Sequence, residues 1–201
     1  MKLALLRHGP TEWNAAGRIQ GHTDIPLSEA GLAKMRGLRL PFAVQRVYCS
    51  PLLRARQTAE ALALGDAVHD ARLMEQHWGQ WEGLTRDQIF AAHGDDAFVK
   101  AGSQQGTAFR PMAGESTGEL HERVGAFLND VAAGEGDAAA VAHLGVLRAA
   151  YTLATGWAMD APMPADLDVS KILVLSLETG GRPKVESLNL DFSAAAPGRS
   201  P

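Results

Sequence analysis

The sequence predicts an α/β sandwich on a largely parallel sheet. Three observations carry that expectation. Short apolar runs alternate with segments of helical periodicity, several helical segments open on cap residues, and no fixed-period repeat or long apolar stretch competes with the pattern. A chain of 201 residues can bury one good core and favours a single domain. That domain is expected over residues 1–192, with a lid-like insertion at about 84–114 and a disordered tail at 193–201.

Taken in order, "KLALL" reads as a buried strand. "LSEAGLAKMRGLRL" places Ser28 at an N-cap and Leu32, Met35 and Leu38 at helical spacing. "QRVYC" is a second strand, followed by "SPLLRARQTAEALAL", where Ser50 is the expected N-cap and Pro51 the first helical residue. "DAVHD" predicts a third short strand. The Gly- and Gln-rich insertion contains "HGDD" and "AGSQQGT", with a short helix over Arg86 to His93. "GESTGELHERVGAFLNDVAAG" is a helix that Glu115 and Ser116 are placed to cap, and "DAAAVA" is an apolar strand. "VLRAAYTLATG" is a helix closing at Gly156. "KILVLSLE" and "KVESLNL" flank the turn "TGGRP" as an antiparallel pair.

Composition narrows the function. Apolar residues at 46% and charged residues at 21% are ordinary for a globular protein. A net charge of −4 gives no ground for nucleic-acid or anionic-membrane partners, so any positive potential is local. Cys49 is the only cysteine, which excludes intramolecular disulfides and Cys-cluster metal sites and suits a reducing cytosol. No stretch approaches the roughly 20 apolar residues of a membrane helix, and Leu3 to Leu6 is too short for a signal-peptide core. A cytoplasmic protein with a small-molecule partner is expected; its oligomeric state is unknown from sequence.

Chemistry gathers where strands end. "LALL" runs into Arg7 and His8, "RVYC" into Ser50 and Arg54, and "AAAVA" into His143. In open α/β sheets ligands bind beyond the carboxyl ends of strands. If these three are parallel, two arginines and two histidines converge, with Arg54 in a helix's first turn where free N–H groups favour an anion. Guanidinium forks match phosphate oxygens, and a neutral imidazole among them can attack phosphorus. No pairing typical of a metal site involves His22, His69, His77, His93 or His121, so neither metal nor cofactor is expected; His22 and His77 are candidate rim contacts.

The same residues carry a resemblance. "LLRHGPTEWN" is similar to the signature of the histidine phosphatase superfamily, also called phosphoglycerate mutase-like. "GRIQGHTDIPLSEAGL", "SPLLRARQTAEAL", "LMEQHWGQWEG" and "AHLGVLRA" resemble that family's later segments, in order, across most of residues 1–156. The resemblance implies a three-layer α/β/α fold and a phosphohistidine intermediate. By it, His8 is the nucleophile; Arg7, Arg54 and His143 bind the phosphoryl group, and Asn14 helps hold its oxygens. Glu75 is the proton donor and later the base for water, while Gln20 and Gly21 lie near substrate. Glu82 is a second carboxylate of the same type, and neighbouring Trp78 and Trp81 are read first as packing.

One departure stands out. The family has glycine directly after its second histidine, and this chain has Leu144, which either tilts that loop or gives an apolar wall to the leaving group. Two alternatives accompany the phosphatase reading: a mutase moving phosphate within a phosphoglycerate, and an inactive relative that binds phosphorylated ligands. The mutase branch places adjacent arginines in the insertion, where this chain has only the separated cations Arg86, Lys100 and Arg110, so water is the expected acceptor. Phe90, Phe98 and Phe109 in the insertion suit an organic leaving group or the insertion's own core. Chains of this size in the superfamily include α-ribazole phosphate phosphatases and broad-specificity enzymes.

Overall fold

The computed structural model describes residues 1–94, 106–158 and 164–195. Its main sheet has six strands: β1 (Lys2–Arg7), β3 (Arg46–Cys49), β4 (Val68–His69), β5 (Ala138–Ala142), β6 (Ile172–Ser176) and β7 (Lys184–Leu190). Their order is β4-β3-β5-β1-β6-β7. The first four run parallel, and β6 and β7 are antiparallel additions on the β1 side. The predicted "DAVHD" strand and the antiparallel "KILVLSLE"/"KVESLNL" pair both form.

Register decides where the chemistry falls. Arg7 lies beside Ala142, and Cys49 beside Val141. The ladder continues past the strands, since His8 N–H donates to Ala142 O (3.0 Å) and Ser50 N–H to Val141 O (2.9 Å). Arg7-His8, Ser50 and His143 therefore leave the sheet at one rim.

Helices cover both faces. Leu3, Leu5, Ala138, Ala140 and Ala142 pack with residues of α5 (Thr117–Ala132) and α6 (Leu144–Thr155). Ala4, Leu6, Ala139 and Val141 pack on the other face with Leu27, Met35 of α2 (Glu29–Arg36) and Ala55 and Ala59 of α3 (Leu53–Ala61). This odd–even division is the period-2 alternation of strands buried on both sides. Fully burying each of Leu3, Leu5 and Leu6 stabilises by about 1.5–3 kcal/mol, so the strand that delivers His8 is anchored from both layers. Cys49 is fully buried within this core.

Two predicted caps form: Ser28 Oγ accepts from Gly31 N–H (3.0 Å), and Ser116 makes a reciprocal capping box with Glu119. The short helix α4 (Arg86–His93) and the left-handed stop at Gly156 also appear. Three expectations are corrected. The helix expected to begin at Pro51 begins at Leu53, with Leu52 at the N-cap and no side-chain cap; the Ser50 hydroxyl instead meets His143 and Leu52 N–H. The helix expected to include Leu38 stops at Arg36, because Leu38–Arg39 form β2. Its partner is β8, Ser193–Ala194, so the expected tail begins with an ordered strand. Residues 95–105, including Phe98 and Lys100, and residues 196–201 lie outside the described residues.

Candidate active site

His8 is buried, and its Nδ1 lies 2.7 Å from Gly9 O. A carbonyl can only accept, so Nδ1 carries the proton and Nε2 keeps its lone pair. Burial, then the charges of Arg7 and Arg54, push the His8 pKa down to about 3. The ring is therefore neutral near pH 7, as a nucleophile must be. Gly9 follows because α2 closes over it: a Cβ there would come 2.6 Å from Met35 Cγ. Its N–H is held by Thr58 Oγ1 (2.9 Å), whose hydroxyl donates to Arg54 O (2.7 Å).

Around His8 stand three donors. Arg54 is fully buried; its Nη1 donates to Thr23 O (2.9 Å) and its Nη2 to Gly21 O (2.7 Å). His143, also fully buried, has its ring centroid 5.1 Å from that of His8. Its Nε2 lies 2.8 Å from Ser50 Oγ. With the Ser50 hydroxyl donating into Nε2, the neutral ring carries its proton on Nδ1. Burial, followed by His8 and Arg54, holds the His143 pKa well below 6.5. Arg7 Nε, Arg54 Nε and His143 Nδ1 are all buried with no protein hydrogen-bond partner among the described residues. Each unpaired buried donor costs roughly 1–3 kcal/mol, more when charged. An oxyanion bound among them removes that penalty.

Glu75 lies within electrostatic reach of both arginines. Its Oε1 accepts from Gln76 N–H (2.8 Å) and Gly145 N–H (2.9 Å), and its charge acts on both Arg7 and Arg54. The Glu75 carbonyl is held by His22 Nε2 (2.8 Å) and Arg123 Nη2 (3.0 Å). Arg123 also bonds Arg72 O and Met74 O, each at 2.7 Å, and pairs with Glu115 at 2.5 Å. Glu115 thus anchors this arginine, while Ser116 supplies the helix cap.

Glu82 sits differently. Its Oε1 accepts from His22 N–H (2.9 Å) and Trp78 N–H (3.1 Å), and its Oε2 from the Thr23 N–H (2.9 Å) and hydroxyl (2.6 Å). Burial raises its pKa, but the Thr23, His22 and Trp78 hydrogen bonds together outweigh it and leave the carboxyl below the usual range. A carboxylate held by four donors is a poor acid, which favours Glu75 for that task. Trp78 and Trp81 stack on each other at 6.0 Å, and each also packs near Phe109. His22 and His77 stack at 4.6 Å beside the acid segment.

The remaining expected positions divide. Asn14 Oδ1 accepts from Thr11 N–H and Oγ1–H, both 3.0 Å, in a capping box that sets the short helix α1 (Glu12–Ala15). Asn14, Arg7 and His8 line a cleft of about 310 Å³ whose far wall includes Lys34, Ser170 and Phe192. Gln20 is buried with Oε1 unpartnered, and Gly21, at φ +51°, contributes its carbonyl to Arg54. Leu144 is the half-buried first residue of α6, directly after His143; like Arg54, His143 and Glu75 it lies outside the lining of this cleft. The close approach falls one residue later, at Gly145, where a Cβ would lie 2.3 Å from Glu75 Oε1. Thr58 and Arg123 also build the site, and Ser50, expected as a cap at a strand end, holds His143 instead. Only Ser50, at a strand end, carried a positional signal.

Comparisons with known proteins place the chain in a family. The model of the histidine phosphatase superfamily (branch 1) matches residues 3–191. A putative phosphoserine phosphatase 2 of Hydrogenobacter thermophilus is 33% identical over 184 residues, 88% of this chain and 90% of the relative. A 2,3-bisphosphoglycerate-dependent phosphoglycerate mutase of Corynebacterium diphtheriae is 38% identical over 121 residues, 53% of this chain and 47% of the relative. Among solved structures, mycobacterial glucosyl-3-phosphoglycerate phosphatase complexed with VO3 matches with a TM-score of 0.74 at 28% identity, covering 94% of this chain and 99% of that one. The chain belongs to the histidine phosphatase superfamily, branch 1.

Proposed function

We propose that the chain is a metal-independent phosphomonoesterase acting on a small organic phosphate through phospho-His8. One observation supports the reading: Arg7, Arg54 and the His143 ring all act on an imidazole whose Nε2 keeps its lone pair, and Arg7 Nε, Arg54 Nε and His143 Nδ1 are buried without a hydrogen-bond partner among the described residues. His8 Nε2 forms a bond to phosphorus as the bond to the leaving oxygen breaks, and protonated Glu75 gives its proton to that oxygen. The three donors stabilise charge on the phosphoryl oxygens throughout. Glu75, now a carboxylate, takes a proton from water as the water oxygen attacks phosphorus; the P–N bond breaks, releasing inorganic phosphate and restoring neutral His8.

Among the described residues no group of three or more His, Cys, Asp or Glu could hold a metal ion, and no helix is long and apolar enough to cross a membrane. Cytoplasmic location belongs to the same reading. Phosphatase-named relatives support hydrolysis, and they are named for phosphoserine and glucosyl-3-phosphoglycerate; α-ribazole phosphate gains no support from those names. The mutase-named relative favours the second reading, transfer back to a bound phosphoglycerate. Against it, Arg110 in the insertion is committed to Glu119 (2.6 Å) and Gly114 O (3.0 Å). The test is a panel in the presence of a chelator: phosphate release from phosphoserine, sugar phosphates, nucleotides and α-ribazole phosphate, beside a primed 3- to 2-phosphoglycerate assay. Phosphate release is expected; efficient isomerisation with negligible release would establish the mutase.

A further inference from the structure

We propose that Glu82 is a positioning residue for Arg54, acting through the loop Gly21–Thr23 and thereby setting phosphate affinity. The proposal rests on the phosphomonoesterase reading of the site. Both terminal nitrogens of Arg54 bond backbone carbonyls, Thr23 O at 2.9 Å and Gly21 O at 2.7 Å. Those carbonyls belong to a loop outside any helix or strand, so the angle of the guanidinium is only as fixed as the loop. The loop's N–H groups point the other way. His22 N–H and the Thr23 hydroxyl end on Glu82, Thr23 N–H is shared between Glu82 (2.9 Å) and Gln20 O (3.1 Å), and Trp78 N–H joins the same carboxylate to the segment of Glu75.

The contact is close. A Cβ at position 21 would lie 2.0 Å from Glu82 Oε1, so glycine there lets the carboxylate reach the backbone. Asp24 Oδ1 adds a tether by accepting from Leu53 N–H at 2.6 Å, at the start of the helix that carries Arg54. Carbonyls facing inward and N–H groups facing outward make the loop a spacer, with Arg54 on one side and Glu82 on the other.

Every group that meets Glu82 here is a donor. Glutamine in its place keeps one acceptor oxygen and turns an NH2 toward backbone N–H groups, which loosens the clamp, and it also removes a charge that acts on Arg54 directly; Thr23→Val leaves that charge in place and isolates the loop's part. The experiment measures binding of inorganic phosphate, by calorimetry, to the wild type, Glu82→Gln, Arg54→Ala and the double variant. Amide hydrogen exchange at residues 22 and 23 and thermal midpoints are recorded in parallel. Glu82→Gln is expected to weaken phosphate about tenfold in the wild-type background and less than about twofold in the Arg54→Ala background, because coupled residues are non-additive. Exchange at residues 22 and 23 should accelerate in Glu82→Gln. The isosteric Thr23→Val, which removes one donor only, should weaken phosphate about threefold with the same dependence on Arg54, and serves if Glu82→Gln does not fold.

Equal weakening in both backgrounds, or unchanged phosphate binding despite faster exchange, would overturn the proposal. A wild-type chain that binds no phosphate would overturn the phosphomonoesterase reading and this proposal with it. Fast exchange at residues 22 and 23 already in the wild type would refute the clamp alone.

Discussion

Gly145→Ala separates the acid's position from the stability of the fold. A methyl group at residue 145 would sit 2.3 Å from Glu75 Oε1, while its contact with Leu120 Cδ2, at 3.5 Å, is ordinary. The carboxylate must retreat by roughly 1 Å to restore van der Waals separation, and its bond from Gly145 N–H is lost. A displacement of that size at a reacting group costs on the order of 100-fold in rate, about 2.7 kcal/mol of barrier. Stability should change by no more than about 1–2 kcal/mol, because alanine's better helix propensity near the start of α6 offsets part of the lost hydrogen bond. Rapid-quench kinetics separate the steps. Phosphoenzyme formation from an alkyl phosphate should slow about 100-fold, and formation from p-nitrophenyl phosphate, whose leaving group needs little protonation, by less than about threefold. Dephosphorylation, for which Glu75 is the proposed base, should slow equally after either substrate. Equal slowing of formation from both substrates, or none from either, would refute Glu75 as the proton donor.

Two further perturbations test the clamp and the neutral nucleophile. Arg54→Lys keeps a charge but replaces the planar fork, whose separate nitrogens bond Thr23 O and Gly21 O, with one nitrogen, so kcat/KM should fall tenfold or more, about 1.4 kcal/mol; wild-type kinetics would place Arg54 outside the chemistry. His8 has a folded pKa of about 3 against an ordinary 6.5, so as pH falls between those values the unfolded chain takes up a proton that the native state refuses. Stability is thereby lost with falling pH, and between pH 6.5 and 5 the wild type should lose on the order of 1–2 kcal/mol more stability to urea than His8→Asn. Parallel pH dependences would contradict a neutral buried His8.

What was legible followed from local pattern joined to one topological rule. Arg7, His8, Arg54 and His143 stood out because each follows a strand, and the parallel register of β1, β5 and β3 then gathers them. Ser28 and Ser116 were readable as caps because their hydroxyls have nothing nearer to bond. Ser50 carried the same signal and misled, since its hydroxyl is taken by His143, a residue distant in sequence and adjacent only through the sheet. Leu38 fits the helical spacing of α2, yet it pairs with Ala194 across the whole chain, which no local window contains. Glu75 and Glu82 are chemically identical in sequence. Only their donors distinguish them: Glu75 Oε1 meets Gln76 and Gly145 N–H, whereas four donors hold Glu82. The glycine at 145, by contrast, drew no notice in the sequence, because its close approach to Glu75 Oε1 exists only in the fold.

The most direct measurement traps the intermediate. The protein is mixed with a 32P-labelled phosphomonoester, quenched in alkali within milliseconds, digested, and the labelled peptide mapped by mass spectrometry. The account predicts one alkali-stable, acid-labile phosphoryl group per chain, on Nε2 of His8, formed and lost at rates compatible with turnover and absent in His8→Ala. Steady hydrolysis with no covalent label, or a label on a residue other than His8, would contradict it.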